Sequence, residues 1–154
     1  MAEKTRAYAA RVDILAPTER VWAALTTTEA LQRWMSPDSR IKAQQGGSLL
    51  ANLDRRKAFS AHVDVFDPPR RVRLVHLHPD DLPLFDGAIV DDVLIEARST
   101  DTIVRVLGSG FPRAAEFGDF YMRRQLGWRQ ALARLKVYLE KRLDQQPAIN
   151  PANK

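Results

Sequence analysis

The first residues of the chain alternate between hydrophobic and polar positions, which is the pattern of a β-strand with one buried face. The alternation covers residues 7–15, and its hydrophobic face consists of Tyr8, Ala10, Val12 and Ile14. Two short helices are predicted next. The first covers residues 17–25, because a proline and an acidic residue suit a first helical turn. The second covers residues 29–34 and ends before Pro37, since the residue preceding a proline disfavours helix.

The middle of the chain predicts a run of strands separated by turns. Gly46-Gly47 is typical of a hairpin turn, and Asp67-Pro68-Pro69 ends a strand because proline donates no hydrogen bond to a sheet. The predicted strands cover residues 40–44, 48–54, 59–65, 72–78, 93–97 and 102–107. Residues 79–88 predict a loop that exposes two apolar side chains, Leu84 and Phe85.

A long amphipathic helix is predicted over residues 116–143, because hydrophobic residues recur there at the helical period and form one stripe. The stripe consists of Phe117, Tyr121, Trp128, Leu132, Leu135, Leu139 and Leu143. A helix of this kind needs an apolar partner, and the large one available is a face of the antiparallel sheet. Residues 145–154 contain two prolines and no periodicity, which predicts a disordered tail.

Together these elements predict an α+β fold in a single domain over residues 1–144. We expect a curved seven-stranded antiparallel sheet around the long C-terminal helix, with two short helices after the first strand. A curved sheet that holds a helix tends to leave space between the two. We therefore expect an internal cavity there, and a cavity is where a ligand is to be sought.

Composition narrows the class of protein. The chain has 154 residues, no cysteine and a formal net charge of +5, so disulfides and thiolate metal sites are excluded. No stretch has the roughly 20 apolar residues of a membrane span, and the first residues lack the apolar core of a signal peptide. A cytoplasmic location is therefore expected. The basic residues are spread over turns and outer helix faces, so we expect no specific nucleic-acid partner.

Several short motifs, in this order along the chain, resemble the START-like, or Bet v 1-like, helix-grip superfamily (SRPBCC). They are residues 16–26, Asp67-Pro68-Pro69 with two following arginines, Ser109-Gly110-Phe111 and Gly127-Trp128. Within the superfamily, the chain resembles the branch named after the C-terminal domain of the activator of the Hsp90 ATPase. The resemblance implies a carrier or sensor of small apolar ligands, a cyclase- or hydratase-like enzyme, or a chaperone cofactor.

The chain departs from that branch near the last strand. Members often carry a Thr-His pair before Ser-Gly-Phe, whereas this chain has Leu107-Gly108. Any role that the resemblance assigns to that histidine is therefore absent here. A glycine at this position also leaves more room if the position faces the cavity.

The long helix contains a polar interruption in its hydrophobic stripe. Arg124 and Gln125 fall between Tyr121 and Trp128, where an unbroken stripe would place apolar residues. A polar group in a buried face needs a partner. Arg124 is expected to pair either with an anionic ligand or with a neighbouring carboxylate, because a guanidinium suits both. The alternative is that Arg124 extends along the helix edge and reaches water.

The histidines offer a second candidate. His76 shares a strand face with two hydrophobic residues, so it is expected to be either a polar group in the cavity or a rim histidine bonded to solvent. His76 and His78 lie two apart on the strand and point to one face, but no third ligand is visible, and no metal site is expected.

Large aromatic residues complete the candidate ligand-binding set. Most aromatic residues fill the core, and those near the polar interruption are the candidates for the cavity. The candidate set is Arg124, Tyr121, Trp128, Phe117, Phe111, His76, Phe59 and Trp34. No acidic residue is expected inside, since Asp92 and Glu96 face solvent in the predicted strand. No catalytic residue is therefore assigned.

The first functional hypothesis is a protein that binds a small, mainly apolar ligand. An acidic group on the ligand would pair with Arg124. The alternatives are a polyketide cyclase- or hydratase-like enzyme using the same cavity, with His76, Tyr121 and Arg124 as its polar set, and an Hsp90 co-chaperone-like domain that binds a partner protein. We expect no cofactor. The oligomeric state is left open, and a homodimer is one alternative because two-fold dimers are the commonest oligomers of soluble proteins.

Overall fold

The structure, a computed structural model, describes residues 4–78 and 82–146. The strands are β1 (Thr5–Ile14), β2 (Arg40–Ile41), β3 (Ser48–Ala51), β4 (Phe59–Asp67), β5 (Arg71–His76), β6 (Val90–Ala97) and β7 (Thr102–Pro112). The helices are α1 (Thr18–Thr26), α2 (Thr28–Trp34) and α3 (Gly118–Glu140), with short 3₁₀ turns at Ala115–Phe117 and Leu143–Gln145. The predicted order of elements is confirmed.

One antiparallel sheet contains all seven strands in the order β1-β7-β6-β5-β4-β3-β2. Strands β2 to β7 follow one another as neighbours, and β1 adds to the sheet beside β7. This connectivity places the first strand next to the last one. Helix α3 runs along β1, with the Tyr121 hydroxyl bonded to the Ala7 carbonyl at one end and the Glu140 carboxylate accepting from the Leu15 N–H at the other. The predicted α+β helix-grip class is confirmed.

The buried face of α3 matches most of the predicted stripe. Its buried residues are Phe120, Arg124, Gly127, Trp128, Ala131, Leu132, Leu135, Tyr138 and Leu139. Of the predicted members, Tyr121 is half-buried and Leu143 lies beyond the helix with 36% of its surface exposed. The stripe therefore ends sooner at its C-terminal end than the sequence pattern indicates, because the regular helix ends at Glu140. At the other end Phe117, in the 3₁₀ turn before α3, is buried as expected.

The loop before β6 differs from its prediction at one residue. Leu84 is 90% exposed, as expected. Phe85 is half-buried, with its ring 5.2 Å from that of Phe117 and 5.5 Å from that of His78. Phe85 thus packs over the start of the long helix instead of pointing to solvent. Residues 79–81 of this loop, and residues 147–154 of the predicted tail, lie outside the described residues.

No helix in the described part of the chain is both long and apolar enough to span a membrane.

Candidate functional site

The site begins with an acidic residue that the sequence patterns missed. Strand β6 starts at Val90, three residues before the predicted start, and Asp91 therefore shares the inward face of Val93 and Ile95. Asp91 is fully buried, with 0% of its surface exposed. The expectation that no acid lies inside the fold is wrong. The sequence contains the signal for it, because side chains two residues apart in a strand point to the same face and Asp91 is two residues before Val93.

Three side chains from three other elements hold the Asp91 carboxylate. The Tyr8 hydroxyl on β1 donates to Oδ1 at 2.5 Å, and the Trp128 indole N–H on α3 donates to Oδ2 at 3.1 Å. His76, at the end of β5, places Nε2 at 2.5 Å from Oδ2. A buried carboxylate is stable only with such compensation. Asp91 is thus the centre of a buried polar cluster, formed by Tyr8, His76, Asp91, Arg124 and Trp128.

Gly108 allows Tyr8 to reach Asp91. In the sheet, Tyr8 of β1 is paired with Gly108 of β7, and Gly108 is paired with Asp91 of β6. The Tyr8 ring lies over the intervening strand, and a Cβ atom at position 108 would overlap that ring. The room left by the glycine is therefore filled by Tyr8, and it adds no space to a cavity.

Arg124 provides the cation of the buried polar cluster. Its side chain is 6% exposed, and Nη1 lies 3.6 Å from Asp91 Oδ2 and 2.9 and 3.2 Å from the two ring nitrogens of His76. The guanidinium carbon also lies 3.6 Å from the centre of the Phe59 ring, a cation–π contact. The alternative in which Arg124 reaches water along the helix edge is wrong. Its expected carboxylate partner is Asp91.

His76 is buried, and its surroundings favour the neutral imidazole. Burial, and then the Arg124 cation, lower the pKa of His76 below its usual 6.5, while Asp91 opposes the shift. A neutral imidazole with its proton on Nε2 donates to Asp91 and offers Nδ1 as the acceptor for Arg124 Nη1 at 3.2 Å. The 2.9 Å approach of Nη1 to the protonated Nε2 is then a contact without a hydrogen bond. The alternative of a rim histidine bonded to solvent is wrong, since the side chain is 2% exposed.

Asp91 and Tyr8 keep fixed charge states within the buried polar cluster. Burial alone would raise the pKa of the Asp91 carboxyl, but His76, Arg124 and Tyr8 outweigh burial and hold this pKa below 3.8. Burial, followed by Asp91, raises the pKa of the Tyr8 hydroxyl far above 10.0, so it stays protonated and donates. The cluster therefore contains one anion, Asp91, balanced by one cation, Arg124.

A cavity of about 480 Å³ adjoins this cluster and opens to solvent. It lies between the N-terminal half of α3, the ends of β4 and β5, and the loop before β4. Its lining consists of Leu53, Asp54, Lys57, Ala58, Phe59, Ser60, Leu77, His78, Phe120, Arg123 and Arg124. The lining is apolar in its larger part and carries three basic side chains against one acidic one. Lys57 and Arg123 are exposed at its mouth, whereas Arg124 is buried.

The predicted ligand-binding residues divide into three groups. Arg124 and Phe59 line the cavity. His76 and Trp128 lie behind Arg124 in the buried polar cluster. The other four lie elsewhere in the described structure, and they are Tyr121, Phe117, Phe111 and Trp34.

Those four residues have structural contacts of their own. The Tyr121 hydroxyl donates to the Ala7 carbonyl at 2.6 Å, and Phe111, fully buried, packs 5.3 Å from the Tyr121 ring. Phe117 packs against Phe85. The Trp34 indole donates to the Ala24 carbonyl at 2.7 Å and so ties α2 to α1. These contacts account for four aromatic residues without a ligand.

The residues that the sequence reasoning missed at the site are Tyr8, Asp91, Lys57 and Arg123. Among the described residues, no group of three potential ligands for a metal ion comes together. His78 is exposed, with Nε2 at 2.9 Å from the Pro83 carbonyl oxygen.

A curved antiparallel sheet around a long C-terminal helix, with a cavity beside the helix, defines a helix-grip protein. The chain belongs to a family within this class. The model of the family Activator of Hsp90 ATPase homolog 1-like protein matches residues 15–140. A comparison with curated proteins gives no significant match.

Solved structures share the fold. Protein MLL2253 from Mesorhizobium loti has a TM-score of 0.73 at 22% identity, over 92% of this chain and 99% of that one. The Aha1 dimer from Colwellia psychrerythraea has a TM-score of 0.72 at 22% identity, over 88% and 96% of the two chains. CalU16 from Micromonospora echinospora has a TM-score of 0.69 at 18% identity, over 88% and 74%. At these identities the likeness shows the fold.

Proposed function

We propose that this protein binds a small amphiphilic anion in the cavity beside α3, with the apolar part of the ligand against the lining and its charged head toward Arg124. The observation that carries the proposal is a buried guanidinium that lines a largely apolar cavity. The volume of about 480 Å³ falls in the range of roughly 300–1,000 Å³ that is typical of small-molecule sites.

Arg124 has donors left for a ligand. The hydrogen bonds that join it to His76 leave from Nη1, and its contact with Asp91 uses the same nitrogen. Nε and Nη2 have no acceptor among the described residues, although only 6% of the side chain is exposed to solvent. A planar carboxylate or phosphate matches such paired donors. The buried polar cluster fixes the guanidinium in place before the ligand arrives, which reduces the entropic cost of binding.

The mouth of the cavity favours the same ligand charge. Lys57 and Arg123 add positive potential there, and Asp54 is the single acidic residue of the lining. The Asp54 carboxylate accepts hydrogen bonds from the backbone N–H groups of Arg56 and Lys57, which makes it part of the turn before β4. An approaching anion therefore meets a basic entrance and then an apolar interior.

The enzyme alternative receives less support from the geometry. Its polar set was His76, Tyr121 and Arg124, and these residues do not converge on the cavity. His76 lies behind Arg124, and the Tyr121 hydroxyl is bonded to the Ala7 carbonyl. Proton transfer requires a titratable group within hydrogen-bond reach of the ligand, and Arg124, the one member of this polar set that lines the cavity, stays a cation. We therefore propose binding without assigning a reaction.

The experiment that tests the proposal is calorimetric titration with octanoate and with octanol, which share an alkyl chain and differ in charge. We expect octanoate to bind more tightly. Leu77→Glu places a negative charge at the cavity lining, on a leucine that is 60% exposed, and is expected to weaken octanoate binding by about tenfold or more.

Leu126→Glu is the matched control, because Leu126 is 54% exposed on α3 and does not line the cavity. It should leave octanoate binding unchanged. Equal weakening by both substitutions, or tighter binding of octanol than of octanoate, contradicts the proposal.

A further inference from the structure

The charge balance of the buried polar cluster has a consequence for how an anion enters the site. Asp91 and Arg124 already neutralise each other at 3.6 Å, and both side chains are almost completely buried. A second anion at the exposed edge of Arg124 leaves two negative groups sharing one buried cation. A buried charge without a counter-charge is costly, so the molecule gains by acquiring a compensating positive charge nearby.

His76 is the group positioned to supply that charge. Its Nε2 lies 2.5 Å from Asp91 Oδ2, and its ring is in edge contact with Phe59, at 4.7 Å between ring centres. In the unliganded protein burial, and then the neighbouring guanidinium, lower the pKa of His76 and favour its neutral form. Once an anion attracts the positive charge of Arg124, the imidazole has an uncompensated carboxylate at hydrogen-bond distance, which favours its protonated form.

We infer that the site takes up its anionic ligand together with a proton, and that Nδ1 of His76 receives the proton. Nδ1 then no longer accepts from Arg124 Nη1, so the guanidinium gives up this hydrogen bond as it turns to the ligand. This inference rests on the proposed function and deepens it, because it defines the ligand class as an anion whose affinity rises as the pH falls. The bound state then contains Asp91 and the ligand as anions and Arg124 and His76 as cations, so the buried charges balance again.

The groups facing His76 from each neighbouring element are consistent with this assignment. Strand β6 contributes Asp91, helix α3 contributes Arg124 and strand β1 contributes the Tyr8 hydroxyl through Asp91. Strand β4 contributes the uncharged Phe59. Lys57, Arg123, His78 and Asp54 line the cavity, but the two basic side chains and His78 are solvent-exposed, so water and salt screen their effect.

Histidine NMR tests the inference directly, because the chain has only three histidines, His62, His76 and His78. The probes are octanoate and octanesulfonate, and the sulfonate stays ionised throughout. Without a probe, His76 should keep one ring nitrogen unprotonated from about pH 6 to about pH 8. With saturating probe near pH 6, both ring nitrogens of His76 should carry protons.

Calorimetry of the same probes in buffers of different ionisation enthalpy measures the proton uptake, which should approach one per octanesulfonate bound. The affinity should fall by up to about tenfold for each pH unit above the transition of bound His76. His76→Gln should abolish this pH dependence, whereas His62→Gln, an exposed residue of β4 outside the cavity, should retain it.

The outcomes separate the inference from the proposed function. If both probes bind while His76 stays neutral and the binding enthalpy is independent of the buffer, the inference is overturned and the proposed function stands. If neither probe binds, both are overturned. If octanoate alone takes up a proton, the ligand carboxyl receives it, and the assignment to His76 is overturned.

Discussion

The two ends of α3 carry ion pairs made from the same residue types in opposite surroundings. Near its start, Arg124 and Asp91 face each other with side chains 6% and 0% exposed. Beyond its end, Arg20 pairs with Asp144 at 2.6 Å, with side chains 22% and 14% exposed. Water supports the second pair and is excluded from the first. Burial, more than residue type, therefore distinguishes the two pairs.

The cavities at the two ends show the same difference. The groove near the end of α3 has a volume of about 460 Å³, close to that of the cavity beside Arg124. Two of its three arginines are paired, Arg20 with Asp144 and Arg98 with Asp101, and the third, Arg142, is exposed to solvent. The groove also contains Glu19 and Glu140. Under the proposed function the decisive difference is hydration, because the charges of the groove are in contact with water whereas Arg124 is buried beside the cavity.

Asp91→Asn provides the largest test of this comparison. The substitution keeps the size of the side chain and leaves Arg124 as a buried cation without a counter-ion. We expect the free energy of unfolding to fall by about 3–5 kcal/mol. Urea unfolding followed by circular dichroism measures it. A loss below about 1 kcal/mol would mean that the buried pair behaves like a surface pair.

Gly108→Ala tests the path by which Tyr8 reaches Asp91. The new Cβ overlaps the Tyr8 ring, so we expect a loss of about 1–3 kcal/mol from overpacking. When Tyr8 is already replaced by alanine, Gly108→Ala should lower the free energy of unfolding by much less. A double-mutant cycle measures this difference. Gly118→Ala is the matched control, because the nearest atom to its Cβ is at 3.7 Å. Additive losses at positions 8 and 108 would refute the contact.

The pH dependence of the free energy of unfolding tests the buried polar cluster through His76. His76 has a lowered pKa in the folded protein, through burial first and Arg124 second, and the unfolded chain takes up this proton as the pH falls through about 6.5. Stability should therefore fall below about pH 6.5, by up to about 1.4 kcal/mol per pH unit. Asp91, whose pKa is lowered below 3.8, adds a further loss only at more acidic pH.

His76→Gln should flatten the stability profile between about pH 5 and about pH 7, while the exposed His62→Gln should leave the slope in place. Thermal unfolding across this range gives both profiles. A wild-type profile without a slope, or a slope that survives in His76→Gln, would show that His76 does not carry this effect.

Arg20→Gln gives the smallest expected effect. The guanidinium of Arg20 also donates to the Leu139 carbonyl, so the substitution removes hydrogen bonds at the end of α3. Because solvent reaches this pair, we expect a loss of about 1 kcal/mol or less and unchanged octanoate binding. Urea unfolding and calorimetry measure the two quantities. A loss as large as that of Asp91→Asn would erase the distinction between the two ends.

The fold was predictable because its determinants are local. Alternation along β1, the prolines after β4 and the helical stripe of α3 each depend on the sequence within one element. The family model and the strand order agree with that prediction.

The candidate site was predictable only in part. Arg124 was identifiable because a charged residue interrupts a hydrophobic stripe. Asp91 was missed because the predicted strand began at Val93, which removed it from the alternation. The contact of Tyr8 with Asp91 across Gly108 depends on the pairing of three strands, and no local pattern encodes that pairing. The roles of the predicted residues toward a ligand stay predictions.

The most direct test of the central claim is the ratio of octanoate to octanol affinity in the double variant Arg124→Met with Asp91→Asn. The variant removes both buried charges together, so neither is left unpaired. Calorimetry should show that the wild type prefers octanoate by about tenfold or more and that the double variant binds both compounds with similar affinity. A double variant that keeps the full preference for octanoate would contradict the claim that Arg124 holds the anion.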